Sequence, residues 1–184
     1  MFVDYLYNGW YYLTKAVPLA LVLFLIEGCP VLFRQLDLRL KVRLLVARLL
    51  WALCLALIVQ VTGLGRMPWL HPDRLWAGGA RRLSFSLFEE GIFSMMNVLN
   101  LLLFVPYGFL CCSAFCGPRR RMILAGFLTS LAVECAQCLF SGRYAQMDDL
   151  IMNTLGTAAG CLTHWLLHRL RGKFDVLAKP QKVY

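Results

Sequence analysis

Five apolar stretches, at 11–33, 44–64, 98–116, 122–140 and 150–167, dominate this sequence. Each is close to the roughly 20 helical residues that cross a hydrocarbon core. Inside lipid, every backbone N–H and C=O must be satisfied within its own segment, which leaves only helices and closed barrels. The ten-residue alternation of a barrel strand does not occur. The expected fold is therefore all-α, a polytopic transmembrane helical bundle of about five spans forming one domain over residues 1–184. Composition agrees, with 60% of residues hydrophobic and 16% charged, where a soluble domain is nearer half and a quarter.

The opening MFVDYLYNGW lacks the basic region of a secretory signal, so the first span is expected to remain as an anchor. A net charge of +9 would suit nucleic acid, but the basic residues lie in short runs between apolar spans. There they act as topology signals or meet anionic head groups, and no nucleic acid is expected as a partner. Most of the eight cysteines, Cys54, Cys111, Cys112, Cys116 and Cys161 among them, sit within the spans, where thiols pack as small apolar groups. Cys135 and Cys138 form a C-x-x-C without the strand-to-helix junction that makes such a pair reactive. Neither a metal nor a cofactor is expected.

Arginine and lysine order the loops. Arg34, Arg39, Lys41 and Arg43 mark the first connection, with Arg48 expected to snorkel back towards it, and Arg119, Arg120 and Arg121 mark the third. The tail carries Arg169, Arg171, Lys173, Lys179 and Lys182. All three are expected in the cytoplasm, which puts the N-terminus outside and the C-terminus inside. In the long outer connection, Ser86 to Glu89 reads as a capping box opening a helix, while Trp69 and Trp76 suit the head-group level. Glu27 is expected to meet Arg34 or a head group, and His164 and His168, four apart, to sit at the inner interface.

Polar residues within spans are costly and usually face a bundle interior or a cavity. Asn97 and Asn100 share a face at the outer end of the third span, continued by Phe104 and Gly108, with Pro106 interrupting the backbone ladder. Glu134 and Gln137 lie in the outer half of the fourth. Arg143, Asp148 and Asp149 follow in the next connection, and Asn153 is one turn beyond Asp149. Such a set has three readings: a charge-neutral network holding helix ends together, an anion site built on the Arg143 fork, or carboxylates that bind a cation or do acid–base work. Gly156 and Gly160 form a G-x-x-x-G in line with Asn153, so a neighbouring helix can approach closely, and the fifth span is expected to be central.

NVLNLLLFVPYGFL at 97–110, ECAQ at 134–137 and GRYAQMDDLIMNTLGTAAG at 142–160 resemble the VanZ family of bacterial membrane proteins. The motif-bearing part is 97–160, with a weaker likeness in RRLSFSLF. The cysteines at 135 and 138 depart from the family pattern. The resemblance implies a small multi-pass protein of the bacterial cell membrane, in a family whose founding member is associated with resistance to the lipoglycopeptide teicoplanin. It implies ligand-binding roles for Asn97, Asn100, Glu134, Gln137, Arg143, Asp148, Asp149 and Asn153, and structural roles for Pro106, Gly108, Gly156 and Gly160. The expected partners are membrane lipid and either teicoplanin or a lipid-linked cell-wall precursor, engaged outside the membrane. The alternatives are a membrane-embedded hydrolase or transferase with Glu134 or Asp149 as general base, and a structural accessory protein acting through its G-x-x-x-G face.

Overall fold

The computed structural model describes residues 2–64, 82–84, 88, 91, 94–115, 117–138 and 144–177. Among these are five helices: α1 (Phe2–Leu32), α2 (Leu38–Val61), α3 (Met95–Ala114), α4 (Arg119–Cys138) and α5 (Met147–Leu177). Two three-residue strands, β1 (Arg82–Ser84) and β2 (Tyr144–Gln146), pair in parallel with Arg82 opposite Tyr144 and Ser84 opposite Gln146. The sequence pattern gives no sign of this short pairing. It ties the segment ahead of α3 to the start of α5.

Segments 9–32, 38–61 and 95–114 are long and apolar enough to cross a membrane by length and composition, and α4 and α5 stand where the fourth and fifth spans are expected. The surface is inverted relative to a soluble protein. Leu25 and Ile26 on α1, Val46 on α2, Leu102 on α3, Leu128 on α4 and Leu155 and Leu162 on α5 all face outward. Apolar surface this continuous belongs against lipid. What is buried is small or polar instead: Ala16 and Ala20 of α1 meet Ala56 of α2, while Ser130, Asn153 and Thr157 are sealed between α4 and α5. Since lipid tails are as apolar as leucine, close contact and hydrogen bonds between helices, rather than apolar burial, hold such a bundle.

The central element is α3 rather than the expected fifth span, because α3 packs against α2, α4 and α5 together. Its intimacy with α5 comes from glycine. A Cβ on Gly156 would strike the Leu101 carbonyl, one on Gly160 the Val105 carbonyl, and one on Gly108 the backbone of Thr157. The G-x-x-x-G thus seats α3. Ile58, Phe104, Tyr107 and Val133 form the apolar core where α2, α3 and α4 meet, and Tyr107 Oη lies 2.9 Å from Thr129 Oγ1.

Two sequence expectations are corrected. Arg48 does not snorkel: it is buried, with Nη1 donating to the Glu27 carbonyl and Nε to the Ala114 carbonyl at 3.4 Å. Its guanidinium lies over the Phe115 ring, so the orphan carbonyl at the end of α3 becomes its counter-charge. For Glu27, the contact is through its main chain to Arg48. The helix start expected at Ser86 is also not helical at Phe88. Residues 86, 87 and 89 lie outside the described residues, but Phe88 has φ 55°, which no right-handed helix accommodates. The cap forms instead at Ser94, whose Oγ accepts from Asn97 N at 3.3 Å. Trp69 and Trp76 fall outside the described residues.

Candidate functional site

One end of the bundle gathers the C-terminus of α2, the N-terminus of α3, the C-terminus of α4 and the N-terminus of α5. Between them lies a cavity of about 630 Å³ whose polar lining is Thr62, Asn100, Glu134, Gln137, Gln146, Asp149 and Asn153. Its other wall is apolar, formed by Met96, Leu99, Leu102, Leu103, Phe104 and Pro106 of α3. Leu99 and Leu102 are 51% and 56% exposed, so this wall also faces the lipid side of α3. The cavity is amphipathic and adjoins the hydrocarbon.

Each polar side chain is fixed by a specific partner. Asn100 Nδ2 donates to Asp149 Oδ1 at 2.5 Å, joining α3 to α5. Glu134, 6% exposed, accepts from the Gln146 backbone N–H through Oε2 at 3.2 Å. Gln137 donates to the Thr62 carbonyl at 2.9 Å, bracing α4 against the end of α2. Asn153, 3% exposed, donates from Nδ2 to Ser130 Oγ at 2.9 Å. Its Oδ1 is buried without a partner among the described residues. Turning the amide over would only exchange which end is left, since Ser130 serves one atom at a time. An unpaired buried acceptor costs about 1–3 kcal/mol, and Asn153 is one of the residues lining the cavity.

Two of the sequence-predicted residues do not line the cavity but build the chain beside it. Asn97 is buried and donates from Nδ2 to the Gly91 carbonyl at 3.0 Å, fixing a turn in which Gly91 has φ 90°. Asp148 accepts the Phe88 N–H on both oxygens, at 3.0 and 2.9 Å, which holds the left-handed Phe88 in place. Pro106 lies in the cavity wall, and Gly108, Gly156 and Gly160 set the α3–α5 approach that positions Asn100 against Asp149. Arg143 lies outside the described residues. Cys135 is exposed on α4.

The VanZ/LLP1 family model matches residues 50–168, which take in the second half of α2, all of α3 and α4, and α5 as far as His168. The chain belongs to the VanZ/LLP1 family. With its apolar helices, this VanZ-family chain is a membrane protein. No curated protein matches it, and no solved structure does.

Several residues that complete the site in this VanZ-family member escaped the sequence reading. Thr62 and Gln146 contribute main-chain atoms, which no side-chain pattern reveals. Ser130 was legible, however, because it lies one turn before Glu134, and Gly126 one turn before that. A Cβ on Gly126 would collide with the Thr157 side chain, so Gly126, Ser130 and Glu134 form one stripe facing α5.

Proposed function

We propose that this VanZ-family protein lowers susceptibility to teicoplanin by engaging, in the cavity at the α2–α5 end, either the antibiotic or a lipid-linked component of the cell envelope. The observation that carries this reading is a cavity that is polar on one side, with Asn153 among its lining residues, and leucine-rich on the other. That combination suits an amphiphile: a donor on the head group satisfies Asn153, and the chain lies along Leu99 and Leu102. Arg143, Asp149, Glu134, Asn100 and Gln137 would then orient the head group, with Arg143 as the anion contact.

The protein in this reading is multi-pass in a bacterial cell membrane, with its N-terminus outside, its C-terminus cytoplasmic and the cavity extracytoplasmic. Supporting that orientation, Arg43, Arg119 and Arg169 belong to the opposite end of the bundle from the cavity, as the positive-inside rule requires. A second reading, a hydrolase or transferase acting on a lipid or cell-wall substrate, is favoured by one observation: Glu134 and Asp149 line the same cavity, so one could act as general base.

The test compares teicoplanin susceptibility and membrane abundance for Glu134→Gln and Asp149→Asn. Loss of protection at normal abundance supports a working site in the cavity. Full protection at full abundance for both variants overturns it. Release of a product from a lipid-linked substrate by the wild type, absent in both variants, would select the enzymatic reading.

A further inference from the structure

The opposite end of the bundle carries a second, differently charged feature. Two cavities, of about 500 and 450 Å³, are both lined by His164 and His168 of α5. The first adds Arg119 and Arg169, and the second adds Arg43 and Arg171. Among the described residues, no carboxylate lines either one. The volumes lie within the roughly 300–1,000 Å³ of small-ligand sites.

Two of the four guanidinium groups are held by an aromatic ring. Arg119 and Arg169 stack on the Trp165 ring at 4.9 and 5.2 Å from its centroid, which suits an indole at the head-group level. His164 packs edge-on against Phe109 with centroids 5.5 Å apart and lies 6.4 Å from the His168 ring. Concentrating four guanidinium groups and two imidazoles from three helices at one end of the bundle favours an anion that neutralises them. The guanidinium fork matches phosphate oxygens in pairs. Leu167 lines the second cavity, and the exposed Leu166 and Leu170 lie beside it in sequence on α5, an apolar surface on which acyl chains can lie.

We infer that this end binds one anionic lipid bearing two phosphodiesters, one held by Arg119 and Arg169, the other by Arg43 and Arg171, with His164 and His168 donating to the linker between them. The ligand class is a diphosphatidyl lipid, which would bridge α2, α4 and α5 and so brace the bundle opposite the polar cavity. This inference is independent of the function proposed for that cavity.

Intact-mass spectrometry of the delipidated full chain in neutral detergent tests it, with diphosphatidylglycerol, phosphatidylglycerol, phosphatidylcholine and inorganic phosphate added separately. The expected result is a single diphosphatidylglycerol adduct at least tenfold tighter than any phosphatidylglycerol adduct, with none from phosphatidylcholine. Arg43→Gln with Arg171→Gln, and Arg119→Gln with Arg169→Gln, should each remove that preference. The corresponding Arg→Lys pairs, which keep charge but not the fork, should retain the fold and lose at least threefold. Equal retention of both anionic lipids overturns the two-phosphate reading, as does wild-type preference in both glutamine pairs. Displacement of the lipid by an equal concentration of inorganic phosphate would assign the site to a free anion and overturn the lipid.

Discussion

Replacing Asn153 with leucine separates stability from function at the cavity. The substitution removes one interhelical hydrogen bond, Nδ2 to Ser130 Oγ at 2.9 Å, which in a membrane is worth about 0.6 and at most about 1.7 kcal/mol. It also removes an acceptor that is buried and unpaired, relieving about 1–3 kcal/mol. The net effect spans a loss of about 1 to a gain of about 2 kcal/mol. Ser130 can satisfy itself on the carbonyl one turn back, and leucine, with the same four side-chain heavy atoms as asparagine, occupies the same space. At about 2–4 °C per kcal/mol for a chain of this size, the midpoint of thermal unfolding in detergent should fall by no more than about 4 °C and could rise. Teicoplanin protection should nevertheless be lost. A fall of about 10 °C or more would show that the oxygen has a stabilising partner after all. Full protection in Asn153→Leu would refute its role in binding.

Glycine packing gives a second prediction. Gly156→Ala and Gly160→Ala place a methyl against the α3 backbone, so each should cost about 1–3 kcal/mol by overpacking. Gly9→Ala, with nothing within 4 Å of the added carbon, should be neutral or stabilising by up to about 1 kcal/mol; thermal midpoints compare the three. Arg48→Met leaves the Ala114 and Glu27 carbonyls without their cation, and a loss of about 1.5–3 kcal/mol should appear as reduced membrane abundance. Cys112 and Cys161 have sulfurs 3.1 Å apart across the α3–α5 contact. With Cu(II)-phenanthroline accepting the two electrons, they should form a disulfide that peptide mapping detects, whereas unchanged thiols would mean that α3 and α5 do not pack in this register.

Hydropathy alone located the helices, because long apolar runs in lipid have one way to satisfy their backbone. Face periodicity then put Asn100, Glu134, Gln137, Asp149 and Asn153 at one depth, and the cavity lining contains all five. Less legible were contacts made through main-chain atoms. Thr62 and Gln146 enter the site by their backbones, and Asp148 spends both oxygens on the Phe88 N–H, so its carboxylate character gave no hint of its task. Asn97 shares its face with Asn100, yet a turn centred on Gly91 takes up its amide. Arg48 misled for a different reason. Near a helix end, an arginine ordinarily reaches for water, and only the packing of α1, α2 and α3 supplies carbonyls that hold it inside.

The central claim, that the cavity between α3, α4 and α5 holds an amphiphile seated on Asn153, is tested most directly by photo-crosslinking. A benzophenone amino acid at Leu102, on the apolar wall, is irradiated in native membranes, and the adduct is identified by mass. A lipid-linked envelope component or added teicoplanin should be captured from the wild-type background, with yield falling at least tenfold in Asn153→Leu. Equal yields in both backgrounds, or adducts of bulk phospholipid alone, would contradict the account.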